Sequence, residues 1–315
     1  SEMCIRDRYM GDRAFYRHYL LLAVPMILQN AITNLVSFLD NIMVGQLGTE
    51  QMSGVAIVNQ LIFVYNLAIF GAVSAASIFG AQYFGNGDHR GHMHSFRFKL
   101  YATLLVSGLT MLLLLTKGSD LISLYLTDTA GNGATDVALQ YGKQYLVIML
   151  VGLVPFAVNQ AYATNIKETG QTLVPMLASF VAVGTNAVLD YLLIFGVGPF
   201  PELGVTGAAL ATVIARYVEA VIVVFWAHRN REKNRYLEGA YRGFGIPVSE
   251  LKTVLIKGLP LMFNEVLWAA GMTTVTQCYS VRGLDVVAGL NIATTITNLF
   301  NIVYCLLYTS DAADD

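Results

Sequence analysis

Eight apolar runs of about twenty residues or more recur along the chain, near 19–44, 55–84, 98–117, 144–164, 173–198, 204–227, 253–280 and 284–304. A helix of about twenty residues matches the ~30 Å hydrocarbon core of a bilayer. Inside that core each backbone polar group needs a partner within the protein, which leaves helices as the natural way to span. The expected fold class is an all-α polytopic membrane protein. Composition agrees, with 55% hydrophobic and 13% charged residues against the ~25% charged of soluble domains, and a mean hydropathy of +0.56. The net charge of −2, with no basic patch interleaved with aromatics, argues against nucleic acid. Cys4, Cys278 and Cys305 have neither disulfide nor zinc spacing, and no cleavable signal peptide is visible.

The breaks between runs carry turn residues: GQLGTEQ, GNGDHRG, TDTAGNGATD, KETGQT, GVGPFPELG, the polar stretch from His228 to Gly245, and VRGLD. Pro25, Pro155 and Pro260 lie inside runs and should kink their helices, freeing carbonyls that can serve a cavity. With a cytoplasmic start, Arg13, Arg17, Arg90, Arg97, Lys99, Lys167, Arg229, Arg231, Lys233, Arg235, Arg242, Lys252 and Lys257 fall inside. Only Lys117, Lys143 and Arg282 fall outside, so the positive-inside rule fixes a cytoplasmic N-terminus. The expected location is the plasma (inner) membrane of a prokaryote.

A shift of 235 residues pairs Pro25 with Pro260, Gly48 with Gly283, Glu50 with Asp285, Gly54 with Gly289, Ile57 with Ile292 and Asn66 with Asn301. Glycines and acids recurring together at turns point to a duplicated unit. Six spans separate the two starts, so the copies share one orientation, a parallel repeat of the kind used by secondary transporters.

Polar residues inside the runs then mark the chemistry. Setting Ser37 at zero on a helical wheel puts Gln29, Thr33 and Asp40 at roughly −80° to −40° and Asn30, Asn34 and Asn41 at roughly +20° to +60°. These seven form one stripe on the first span. A carboxylate at the centre of a spanning helix costs about 2.5–3.5 kcal/mol and tends to face a bundle interior or a wet path. The plain alternative is that Asp40, just before Gly45 and Gly48, reaches the headgroups, which leaves the stripe beneath it unexplained. In the fifth span Ser179, Asn186 and Asp190 share a face, and Asp190 is expected at the depth of Asp40. Two acids with amide neighbours can share a proton or ligate a small cation. In the seventh span Asn264 and Glu265 follow Pro260, and in the sixth Arg216 and Glu219 stand three apart, as a neutralising pair would. Tyr65, Phe70, Tyr145, Phe156, Tyr162, Tyr191, Trp226 and Trp268 read as packing or interfacial residues rather than a cavity for aromatic cations. His89, His92 and His94 read as part of a solvated loop, and no G-x-S-x-G, H-E-x-x-H, P-loop or dinucleotide turn suggests an enzyme.

The chain resembles the multidrug and toxic compound extrusion (MATE) family from about Tyr16 to Tyr304. The likeness rests on the first-span proline followed by LDNIMVGQLG, on GAQYFGNGD, TNAVLDYLLIFGVG, GVTGAALATVIARYVE and KGLPLMFNEVLW. The resemblance implies twelve helices in two lobes around a cleft, and export of cationic or amphipathic compounds against entering Na⁺ or H⁺, with no other cofactor. In one branch an aspartate of the first helix and an Asn-x-x-x-Asp of the fifth form the ion or proton site, and Asp40, Asn186 and Asp190 stand at those positions. A sixth-helix threonine belongs to the same site, with Thr206 and Thr212 both candidates. The other branch uses a seventh-helix glutamate, to which Glu265 corresponds. Asn34, Ser37, Asn264 and Glu265 are the candidates for substrate contact or coupling.

The expected organisation is a six-helix lobe over 9–236 and the first two helices of a second lobe over 237–304. SEMCIRDR (1–8) and CLLYTSDAADD (305–315) read as sequencing-adaptor translation, so the chain is expected to be a fragment. Its expected partners are a small-molecule substrate and the bilayer, with the protein a monomer. A lipid-linked oligosaccharide flippase would want a strongly basic central cavity, whereas the expected membrane interior has Arg216 as its only cation and several acids. A membrane-embedded enzyme would need more than Cys278, and a channel would need a filter-like loop.

Overall fold

The computed structural model describes residues 39–124 and 134–242, together with scattered positions between 21 and 33 and between 245 and 297. A helical stretch at 39–45 leads through a turn into α1 (Thr49–Gly85) and α2 (His89–Ser123). Then follow α3 (Ala134–Val151), α4 (Leu153–Glu168), α5 (Leu173–Phe195) and α6 (Val205–Arg229), and a single 3-10 turn at Arg235–Leu237. Among the described residues α1, α2, α5 and α6 are each long and apolar enough to cross a membrane, and α3 with α4 makes a fifth span bent by 44°. These are the second to sixth spans expected from the sequence, while the first, seventh and eighth lie largely outside the described residues.

The bend falls where Pro155 predicts it. Proline cannot donate to the carbonyl of Val151 and its ring crowds that turn, and the helix breaks at Gly152. A Cβ at Gly152 would come within 3.1 Å of Val213 and 3.3 Å of Arg216, so the absent side chain also lets α6 close on the break.

Several helices outrun their apolar cores. At 37 and 35 residues, α1 and α2 are about 55 Å and 52 Å long at 1.5 Å per residue, well beyond the hydrocarbon thickness. The start of α2 is set by Asp88, whose carboxylate accepts from the amides of Arg90 (3.1 Å) and Gly91 (3.0 Å) as an N-cap. His89, His92 and His94 are therefore helical rather than part of a solvated loop, and His92 is buried.

Packing follows membrane rules. The main apolar cluster joins Val55, Val58, Ile62, Tyr65, Tyr145, Met149, Leu150, Leu153, Ala208, Ala209 and Val213 at the meeting of α1, α3, α4 and α6. Small residues allow close approach: a Cβ at Gly54 would sit 2.5 Å from the carbonyl of Ala138, and one at Gly207 2.6 Å from that of Leu193. Conversely Leu105, Leu109 and Leu112 of α2 and Val221 and Phe225 of α6 are exposed at 60–67%, as lipid-facing side chains of a membrane helix would be.

One end of the bundle is basic. There Arg97 is buried and donates to the carbonyls of Gly239 (2.6 Å), Ala240 (2.8 Å) and Gly245 (2.9 Å). The segment after α6 is thereby held to α2, so contacts of the first lobe run past the 236/237 boundary to Gly245. Arg97 and Lys99, counted above among the cytoplasmic-side charges, are buried in the bundle.

Candidate functional site

Asp190 lies on α5 six residues before the left-handed Gly196 (φ 64°) that closes the helix, and it is 1% exposed. Asp40, half-buried, lies in the helical stretch before α1. The charge of Asp40 reaches Asp190. Asn186, one turn before Asp190, is near enough to hydrogen-bond it, yet its Nδ2 makes no bond of ordinary geometry. The Oδ1 atoms of Asp40 and Asp190, and that of Asn66, are likewise buried without a hydrogen-bond partner among the described residues. Neither acid belongs to an ion pair there.

Two more groups complete the cluster. Tyr145 of α3 is buried within the field of Asp40, Asp190 and Arg216, and its hydroxyl donates to Asn59 Oδ1 of α1 at 3.3 Å. Asn59 and Asn66 were available as a signal, being two amides seven residues apart in an apolar helix, which places them on one face. Tyr145 carried no such signal, because a tyrosine near a span end reads as an interfacial anchor.

The remaining candidates separate. Glu219 of α6 accepts from Ser179 of α5 at 2.5 Å. With the Gly207–Leu193 approach, this shows α5 and α6 to be antiparallel neighbours. Counting eleven residues back from Glu219, the separation between Ser179 and Asp190, reaches Ala208. Thr206 is two residues from that level and Thr212 four. The hydroxyl of Thr206 donates to the carbonyl of Leu203 at 2.8 Å, and Thr212 is half-buried. Asn264 is exposed, whereas Asn34, Ser37 and Glu265 lie outside the described residues.

The neutralising pair expected of Arg216 and Glu219 is not formed. Arg216 instead donates to the carbonyl of Gly152 (3.4 Å) and stacks over Phe156 at 5.2 Å, drawn there by the open carbonyl at the helix break. Chemically, two acids, the Asn186 and Asn59 amides and a phenol form a set that suits a proton or a small hard cation.

A sequence profile of the MatE family matches residues 25–192, more than half of the chain. The chain belongs to the MatE family. This is a family of multi-pass membrane transporters, not a known class of enzyme. Similar proteins include a probable multidrug resistance protein NorM of Thermotoga maritima, 26% identical over 285 residues, or 90% of this chain and 59% of the relative. A NorM of Bacillus licheniformis is 25% identical, over 89% of this chain and 61% of its own length. The chain thus spans about three-fifths of these MatE relatives. Among solved structures, an outward-facing multidrug resistance MATE transporter of the MOP superfamily superposes with a TM-score of 0.76 at 22% identity, covering 90% of this chain and 60% of that one. A MATE crystal structure in a bent conformation gives 0.74 at 22%, over 91% and 61%. These likenesses establish the fold.

Proposed function

We propose that the chain is the cation-handling part of a secondary antiporter that exports cationic or amphipathic compounds in exchange for Na⁺ or H⁺. The observation that supports this most directly is the Asp40–Asp190 pair, two buried carboxyls with orphaned oxygens and no cationic partner among the described residues. Buried charge without a partner is costly, and such a site gains most from a proton or a small cation. The names of the NorM relatives, which are probable multidrug resistance proteins, support export as the direction of use.

In this reading the basic end faces the cytoplasm of a prokaryotic cell, and the acids lie towards the opposite face. Binding of the ion neutralises the pair and changes the packing of the first span against α3 and α5, which lowers the hold on a cationic substrate. Ion and substrate are coupled because they favour different conformations. The test is ethidium efflux from membrane vesicles containing the longest gene product that carries this sequence, under an imposed Na⁺ gradient and, separately, a proton gradient. Efflux that follows one gradient and is lost in Asp40→Asn with Asp190→Asn supports the reading. Gradient-driven efflux that survives both substitutions overturns it.

A further inference from the structure

A second contact joins the first span to α5. Gln29 Nε2 donates to Ser179 Oγ at 2.6 Å, and Ser179 Oγ donates in turn to Glu219 Oε1 of α6 at 2.5 Å. Ser179 is buried at 5% exposure, and Gln29 and Glu219 are half-buried. The hydroxyl thus spends its one proton on the carboxylate and accepts from the amide, which fixes all three side chains in one orientation. A carboxylate acceptor makes this a charge-assisted link, stronger than one between neutral groups.

The placement matters because of register. Gln29 precedes Asp40 by eleven residues, and Ser179 precedes Asp190 by the same eleven. The two segments therefore meet at two levels, a neutral hydrogen bond below and an acid pair above, with equal lengths of chain between. On α5 that length is about 16 Å along the helix axis. The described positions at 28, 29, 32, 33 and 39–45 are helical, and a helix that slips by one residue turns its side chains by about 100°, which would carry Asp40 away from Asp190.

We infer that Gln29, Ser179 and Glu219 form a register pin: positioning residues that hold the first span level with α5, so that Asp40 and Asp190 face one ion. This deepens the proposed ion site and rests on it. Glu219 acts through Ser179, and Ser179 through Gln29; none of the three touches the ion. Three features single the link out. Among the described residues it ties the first span to both α5 and α6, it uses a half-buried acid that does not form the expected Arg216 pair, and Gln29 and Ser179 each lie eleven residues from the acid they set.

The experiment uses the longest gene product carrying this sequence, reconstituted in vesicles with ethidium as the transported probe. It records the Na⁺ concentration and the pH that give half-maximal efflux. Ser179→Ala and Gln29→Leu should each move the half-maximal ion concentration on the order of tenfold, as loss of an outer-shell partner does at other ion sites. Ser179→Thr keeps the hydroxyl and should stay near the parent. Ser179→Ala with Gln29→Leu should be no worse than either alone, because the two break one link. Melting temperatures identify the folded variants, and either single substitution suffices should the other not fold. Unchanged midpoints in the single variants, with dependence on the ion lost in Asp40→Asn, overturn the pin and leave the acid site standing. Additive shifts also overturn it, since the residues would then act separately. Dependence on the ion that survives Asp40→Asn with Asp190→Asn removes the acid site, and the pin with it.

Discussion

The first lobe buries two ionisable clusters, and they are finished differently. At the basic end Lys99, 0% exposed, donates to Asn165 Oδ1 (2.5 Å) and to the Glu168 carboxylate, whose other oxygen lies 3.3 Å from His92 Nε2. His92 packs edge-on against Tyr236 at 5.1 Å, and Gly80 of α1 leaves the room that the Glu168 carboxylate fills. Charge balances within this group and its elements are clamped. Towards the other end, Asp40 and Asp190 each carry an unsatisfied oxygen, with amide and phenol neighbours. Glu168 Oε2 and the Tyr236 hydroxyl also lack a hydrogen bond, so the difference lies in charge: a buried acid paired with a cation is held in place, whereas one without is costly unless something else completes it. The contrast assigns architecture to the first cluster and ligand exchange to the second.

The largest expected effect separates the two in transport. Asp40→Asn with Asp190→Asn should reduce gradient-driven efflux to background in vesicles while leaving the melting temperature level or raised, because two buried like charges are removed without breaking a pair. Lys99→Met should do the reverse. Removing one partner of a buried pair costs about 3–5 kcal/mol, so thermal unfolding in nanodiscs should show a large loss of stability, with the ion midpoint of the folded fraction unchanged. Should Lys99→Met instead shift that midpoint while the double asparagine variant merely unfolds, the assignment of roles would be inverted.

What the sequence revealed about these clusters follows the cost of burial. An acid in a twenty-residue apolar run stands out, so Asp40, Asn186 and Asp190 were legible, as were five of the spans and the bend at Pro155. Arg97 and Lys99 were not, because they sit at the edge of an apolar run that begins nine residues after the helix does. The Asp88 cap was the available signal for that earlier start. Arg216 and Glu219 have pairing distance in sequence, but tertiary partners outcompeted it: an open carbonyl at Gly152 for one, the Ser179 hydroxyl for the other. Tyr145 joins the acids only because α3 packs on α1 and α6, which no local pattern encodes.

A smaller effect sharpens the basic-end half of the contrast. A Cβ at Gly80 would strike the Glu168 carboxylate and approach Ser95 Oγ at 3.0 Å. On a free surface the carboxylate would swing aside, but here Lys99 and His92 hold it in place and Ser95 is bonded to the carbonyl of Ala76 (2.7 Å). Gly80→Ala should therefore cost about 1–3 kcal/mol, as overpacking does, read as a lowered melting temperature. A neutral result would mean that the cluster has slack and is less rigid than its partners imply.

The smallest effect probes the acid end. Tyr145→Phe removes a hydroxyl whose one donated bond goes to Asn59 Oδ1 at 3.3 Å, a long contact. The net value of such a bond is about 1 kcal/mol, so the melting temperature should move little. The ion midpoint is the more telling reading. In the acid site the phenol stands in the field of both carboxyls, and its loss leaves the Asn59 oxygen free to turn towards them. A cation should then bind with a midpoint shifted a few-fold, since 1.4 kcal/mol corresponds to a factor of ten. The same substitution at Tyr236, in the basic-end cluster, should leave the ion midpoint where it was. If Tyr145→Phe and Tyr236→Phe move that midpoint equally, the two clusters are coupled, and the division between a fixed end and an exchanging end gives way to a single network through the lobe.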